Sequence, residues 1–228
     1  LLDCSPYEKW AEEFPGETAV DSKGSSSVSR HGAKGLPNYW SQVYRKQTAD
    51  FIRAAVGHMK NQPYFKAVGG FFLAGNEDGQ FYYQVVRGSV LEDGNSPGAL
   101  PEFRRWLKAR YGTEEKLRRA WNSPSATFEN AVPPVTEKRY AGNFFNPATQ
   151  MPQIDLTRFL NESMGEFANL MCRTAKETAG KPVISVMWWG RGGSMMVYPH
   201  FSQTSTIFPS ADLDLMGAQP GYQGERNA

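Results

Sequence analysis

A carboxyl group follows directly on a short apolar run. Residues 67–74, AVGGFFLA, are succeeded by Gly75, Asn76 and Glu77. If the run is a buried strand, Glu77 stands where that strand emerges. Apolar neighbours withhold water from a carboxylate there, raise its pKa and suit it to donate a proton as a general acid. The Asn76 carboxamide beside it both donates and accepts hydrogen bonds and so complements a sugar hydroxyl. The plainer alternative makes Glu77 a solvated loop residue, or a cap on the segment EDGQFYY.

Other reactive residue types form weaker patterns. The run Gly190-Arg191-Gly192-Gly193 suggests a phosphate cradle, but it lacks the Lys-Ser/Thr and the long following helix of a P-loop, and reads as a flexible active-site loop. His31, His58 and His200 lie far apart without metal-ligand spacing, and His58 sits on a helix surface. Cys4 and Cys172 cannot build a disulfide framework or a four-ligand zinc site, and are expected to be free buried thiols. No metal and no organic cofactor is implied.

The elements that position these residues follow a rhythm. Strand-like runs fall at 1–4, 67–74, 182–189 and, more weakly, 212–218. None shows the apolar/polar alternation of a half-solvated antiparallel sheet, so a parallel sheet with covered faces is expected. Residues 41–60 place Tyr44, Thr48, Phe51, Ile52, Ala55, Val56 and Met59 at three- and four-residue spacing, an amphipathic helix. Residues 155–179 repeat the pattern through Leu156, Phe159, Leu160, Met164, Phe167, Leu170, Met171 and Ala175, with Gly180 and Pro182 as stop signals. Long helix precedes strand twice, as in a βα-repeat fold. Residues 101–121 predict helix, Tyr-Gly turn, helix, with Thr113 capping the second; residues 122–153 predict an irregular excursion, and Ser22–Ser29 a mobile loop. Such an insertion after a strand suits the loops that α/β barrels devote to substrate.

Composition sets the outer limits. The 228 residues carry 25 Lys+Arg against 23 Asp+Glu, net +2, and are 40% apolar, which excludes a disordered chain. So mild a charge argues against a surface built for nucleic acid or anionic lipid. No apolar run approaches the ~20 residues of a membrane helix. Aromatic residues, 13% of the chain, hint at ligands with flat faces. The chain opens at Leu1 without an initiator Met or a signal peptide, and stops soon after a strand-like run; it reads as a fragment.

AVGGFFLAGNE, the preceding helix ADFIRAAVGHMKNQPYF and the later FRRWLKARYGTEEKLRRAWN together resemble the catalytic barrel of clan A glycoside hydrolases, most closely family 42 β-galactosidases and their relatives. In that family a segment F-x-x-W-L-x-x-x-Y-G-T follows the fourth strand, and Phe103, Trp106, Leu107, Tyr111, Gly112 and Thr113 match it. ADLDLMGAQPGYQGER is similar to the sixth strand and its loop, with Pro220, Tyr222 and Arg226 matching. The resemblance implies a partial (β/α)8 TIM barrel, strands three to six, in one incomplete catalytic domain over 1–228 with an insertion at about 78–153. It implies that Glu77 is the acid/base of a retaining mechanism, with a nucleophilic Glu at the end of a seventh strand beyond Ala228. Asn76 would hold the hydroxyl beside the anomeric carbon. Of Trp188 and Trp189, one would enter the barrel as a sugar platform and the other face the helices; alternatively both are core. Tyr222 and Arg226 would contact nucleophile or sugar. Asp212 and Asp214 start a strand, at the wrong barrel end for catalysis, and read as structural. The implied partner is a carbohydrate, with homo-oligomers common among relatives, and the compartment is cytoplasmic or secreted.

Two rivals remain. Residues 101–121 hold seven basic and three acidic side chains with interleaved aromatics, a pattern shared by nucleic-acid surfaces, but Glu114 and Glu115 would repel phosphate. The stronger rival is a non-catalytic carbohydrate-binding protein on a degenerate or truncated barrel.

Overall fold

The computed structural model describes residues 1–4, 6–7, 9–20, 35–75, 81, 85–86, 89–90, 96–134, 145–188 and 210–217. The strands are β1 Leu2–Asp3, β2 Gly70–Ala74, β3 Val85–Val86, β4 Ser89–Val90, β5 Ile184–Trp188 and β6 Leu215–Gly217. The helices are α1 Trp10–Glu13, α2 Gln42–Lys60, α3 Ala99–Tyr111, α4 Glu114–Trp121 and α5 Met151–Ala179. They group into two units, one of Leu1–Tyr7, Gln42–Tyr82 and Asn161–Ala228, the other of Glu8–Ser41 and Tyr83–Leu160.

The first unit holds a four-stranded sheet in the order β1-β2-β5-β6, every pair parallel. Spatial order therefore follows chain order. A doubly wound sheet reverses its order at a switch point; a barrel adds each new strand on the same side, as here. Gly70 lets two strands meet closely, since a Cβ there would stand 2.5 Å from the Ile184 carbonyl oxygen. Residues 63–67, at the head of the first apolar run, wind instead into a 3-10 turn that starts at Pro63, where a missing N–H costs nothing.

Helices α2 and α5 carry this sheet. The start of α2 meets α5 through Arg45, which bonds the Ser163 carbonyl at 2.9 Å and pairs with Glu166 at 3.2 Å. The far end meets it where the Lys60 ammonium donates to the Thr178 carbonyl at 2.8 Å. The two helices thus run in the same direction, as crossovers between parallel strands must. Tyr44, Thr48, Ile52 and Val56 form a buried i, i+4 row on α2. Phe51 lies beside that row and is 46% exposed, against its expected place in the core. On α5, Met164, Phe167, Met171 and Ala175 are fully buried, and Cys172 faces Ser185 of β5. Burial of each large side chain contributes about 1.5–3 kcal/mol.

In the second unit the matched F-x-x-W-L-x-x-x-Y-G-T segment has a physical reading at most positions. Phe103 and Leu107 are the buried stripe of α3, with Phe103 and Trp106 rings stacked 6.2 Å apart. Gly112 ends α3 at φ +72, a left-handed turn that costs glycine least. Thr113 caps α4, its side chain accepting from the Lys116 amide at 3.4 Å. Tyr111 donates its hydroxyl to Asp155 at 2.6 Å. Helix α5 begins at Met151, inside the stretch expected to be irregular; Pro152 is its second residue, where a first turn accepts proline. A two-residue antiparallel ribbon, β3 with β4, was not expected either.

Candidate active site

All four strands of the parallel sheet end at one edge. Register places Asp3 beside Ala74 and Trp188 beside Gly217, while Leu73 pairs with Met187, so Ala74 and Trp188 stand at the same level. Ser185 and Met187 are buried on the helix-covered face of β5. Ile184, Val186 and Trp188 alternate onto the other face, where Ile184 is 47% exposed and Trp188 half-buried. An indole at a strand's C-terminal end, on the less covered face, sits where a barrel admits its ligand.

Asn76 and Glu77 lie outside the described residues, but their flanks do not. Gly75 is buried at the end of β2. Phe81 is fully buried, its ring 6.3 Å from that of Phe167 in α5, which in turn stacks on Tyr44 at 5.0 Å. Tyr44 donates its hydroxyl to the Cys4 carbonyl at 2.8 Å, just past the end of β1. Gly75 and Phe81, the nearest described residues on either side, are thus both packed in the first unit. Trp189, Tyr222 and Arg226 also lie outside the described residues, beyond the ends of β5 and β6.

The opposite edge is charged and tied down. Arg173 of α5 grips Asp212 through two donors, at 2.8 and 3.0 Å. Lys176 pairs with Asp214 at 2.7 Å, and the same carboxylate accepts from the Ser185 amide at 2.7 Å. Burial works to raise the Asp214 carboxyl, but Lys176 and the Ser185 amide outweigh it and hold the group below its ordinary value. These acids join α5, β5 and β6 at the edge where strands begin.

A further carboxylate escaped the sequence reading. Asp155, whose side chain is 0% exposed, accepts from Tyr111 at 2.6 Å and from the Trp121 indole at 2.8 Å, with Arg110 3.5 Å away. Burial pushes its carboxyl up, against the opposing pull of these partners. Its only sequence signal is indirect: Tyr111 and Trp121 are aromatic groups with polar tips that need partners when buried. Among the described residues no group of three or more His, Cys, Asp or Glu side chains could hold a metal ion. None of the described helices is long and apolar enough to cross a membrane.

The glycoside hydrolase 42 family, described as β-galactosidase, matches residues 5–208. The chain belongs to this family. It is 28% identical over 175 residues to the β-galactosidase BbgII of Bifidobacterium bifidum, covering 72% of this chain and 22% of that protein. The β-galactosidase of the psychrophilic Marinomonas ef1 superposes with a TM-score of 0.66 at 18% identity over 95% of this chain and 29% of that one. That of Bacillus circulans sp. alkalophilus gives 0.63 at 20% identity over 100% and 30%. Identities this low speak for the fold alone. The family 42 chain therefore spans between 22% and 30% of these relatives' length, and its open parallel sheet has the strand order expected of part of an α/β barrel.

Proposed function

We propose that residues 1–228 form strands three to six of a family 42 catalytic barrel, one incomplete domain with an insertion at about 78–153, and that the whole protein hydrolyses β-galactoside-like bonds with retention. The single observation that carries this is parallel pairing. β2 and β5 run in the same direction, so Gly75, just after β2, lies at the edge where Trp188 stands. Glu77 follows Gly75 by two residues, a reach of at most ~7 Å.

The chemistry divides between two carboxyl groups about 5–5.5 Å apart. A nucleophilic carboxylate outside residues 1–228 attacks the anomeric carbon while Glu77 gives its proton to the departing glycosidic oxygen. Glu77 then takes a proton from water, which displaces the enzyme carboxylate and frees the sugar. Asn76 holds the hydroxyl beside the anomeric carbon, a contact that strengthens as positive charge builds at that carbon. Trp188, with Trp189, Tyr222 and Arg226, supplies stacking and polar contacts to the ring. Carbohydrate is the partner. The basic side chains of 101–121 fit a structural role better than a nucleic-acid surface. Arg105 pairs with Glu102, Arg118 with Glu114 and Arg119 with Glu115, and Arg104 donates to the Ala131 carbonyl.

The test is kinetic. In a chain extended by the proposed further strands, Glu77→Gln should lower kcat/KM, which reports the glycosylation step, on lactose by about 10²–10⁴-fold. It should lower it far less on 2,4-dinitrophenyl β-galactoside, whose leaving group departs without a proton. Equal losses on both substrates would remove Glu77 from the acid role. Binding of galactosides without hydrolysis by the unaltered chain would favour a carbohydrate-binding protein instead.

A further inference from the structure

A surface groove of about 580 Å³ in the second unit has no part in this chemistry. Its walls come from the end of α4, the turn that follows and the first turn of α5, and include Trp121, Ser123, Ser125, Pro133, Thr149 and Gln153. We propose that this groove is a second saccharide site, one that takes a neutral oligosaccharide.

Three features carry the proposal. Among the described residues the lining has no ionisable side chain, so an ionic ligand finds no counter-charge from them, whereas a neutral sugar needs none. An indole and proline rings supply apolar surface for the C–H faces of a pyranose, and the hydroxyls of Ser123, Ser125 and Thr149 with the Gln153 carboxamide supply hydrogen bonds. Gln153 is only 8% exposed, and its carboxamide oxygen has no hydrogen-bond partner among the described residues. That oxygen has no accessible surface as it stands, and rotation of the Gln153 side chain into the groove would offer it to a sugar hydroxyl.

The walls are also preorganised. The Trp121 indole is fixed by its bond to Asp155 and lies within 24° of parallel to the Phe103 ring. Asn122 caps α4 in a left-handed conformation, φ 49, and Ser123 donates its amide to the Arg118 carbonyl at 3.0 Å. Arg118 in turn donates to the Ala126 carbonyl at 3.0 Å, and Asn130 closes the turn onto the Thr127 amide and the Ser125 carbonyl, both at 2.8 Å. A ligand entering rigid walls loses less affinity to ordering them. This proposal draws only on residues of the second unit and does not depend on the role given to Glu77.

The full chain labelled with 5-fluorotryptophan gives one fluorine resonance for each of its six tryptophans. The one absent from Trp121→Phe, or from Trp121→Tyr if the first fails to fold, belongs to Trp121. Titration with β-1,4-galactotriose should shift that resonance with a dissociation constant of ~1 mM, the weak range of a single shallow subsite. Gln153→Leu should weaken the response at least tenfold, and so should Ser125→Arg, a change at an exposed position that leaves the melting temperature unaltered. The proposal is overturned if the Trp121 resonance stays fixed at saturating trisaccharide. It is equally overturned if both variants respond as the wild type does, or if only a peptide of residues 135–144 moves the resonance.

Discussion

Replacing Asp155 by alanine leaves the Tyr111 hydroxyl and the Trp121 indole N–H without their acceptor, and Arg110 without its nearest carboxylate. A hydrogen bond to a charged group contributes about 1.5–3 kcal/mol. Both donors are only half-buried, so water recovers part of the loss and the lower figure applies to each. The cost is then about 3 kcal/mol, or about 6–12 °C in Tm for a chain of this size. Asparagine keeps an acceptor and gives up the charge. Because burial already pushes the Asp155 carboxyl above its ordinary value, the neutral amide should cost less than half as much as alanine. The sign of the pH dependence follows. A carboxyl raised on folding stabilises most at acid pH, and stability declines as pH rises from its ordinary 3.8 through the raised folded value. The gap between wild type and Asp155→Asn should therefore narrow as pH rises across that window. Thermal melts by circular dichroism, taken from pH 4 upwards, read both quantities. An alanine variant within ~1 kcal/mol of wild type, or an asparagine variant as damaged as the alanine one, would refute the reasoning.

Three further outcomes are expected. Gly70→Ala drives a methyl into the Ile184 carbonyl and should cost about 1–3 kcal/mol in urea unfolding; a neutral result would contradict the close approach of β2 and β5. Cys172 is buried and its thiol is pushed up to about 11, so a disulfide reagent at pH 8 should leave it unmodified until denaturant is added, and rapid native-state reaction would count against its packing. Asp214 is held below its ordinary 3.8, so its contribution is present above that value and lost as pH falls through the lowered one; Lys176→Met should flatten this acid-side loss in melts between pH 4 and 2, and unchanged steepness would show that the pair contributes nothing.

The parts of the fold legible in the sequence are those with long periodic signals. Continuous apolar runs at 67–74 and 182–189 announced strands, and β2 and β5 pair in parallel within them; the cover expected on both faces is not there on β5, where Ile184 is 47% exposed. The α2 and α5 stripes were equally plain, as was the Thr113 cap. What escaped had no period to read. β3 and β4 are two residues each, too short for alternation. Pro152 disguised the start of α5, because a proline signals a break unless its place in the first turn is known. Phe51 fits the helical spacing, yet the covered side of α2 is the Tyr44–Val56 row with Ala49, and Phe51 falls outside it. Asp155 is buried by partners 34 and 44 residues away, a fact no local pattern encodes. At the candidate site Glu77 and Asn76 rest on the motif and lie outside the described residues, while the sheet supplies what a motif cannot, the common direction of β2, which precedes them, and β5, which ends in Trp188.

Gly217 sits across the ladder from Trp188, and nothing in the backbone asks for a glycine there. Its φ is not positive, and among the described residues a methyl at that point would meet the Met187 carbonyl oxygen at an ordinary 3.6 Å. The described strands would accept alanine there. The bare spot is thus a choice of sequence rather than a demand of architecture, and its effect is lateral: it widens the berth alongside the indole, where any bulkier neighbour would trim the shape of whatever is admitted.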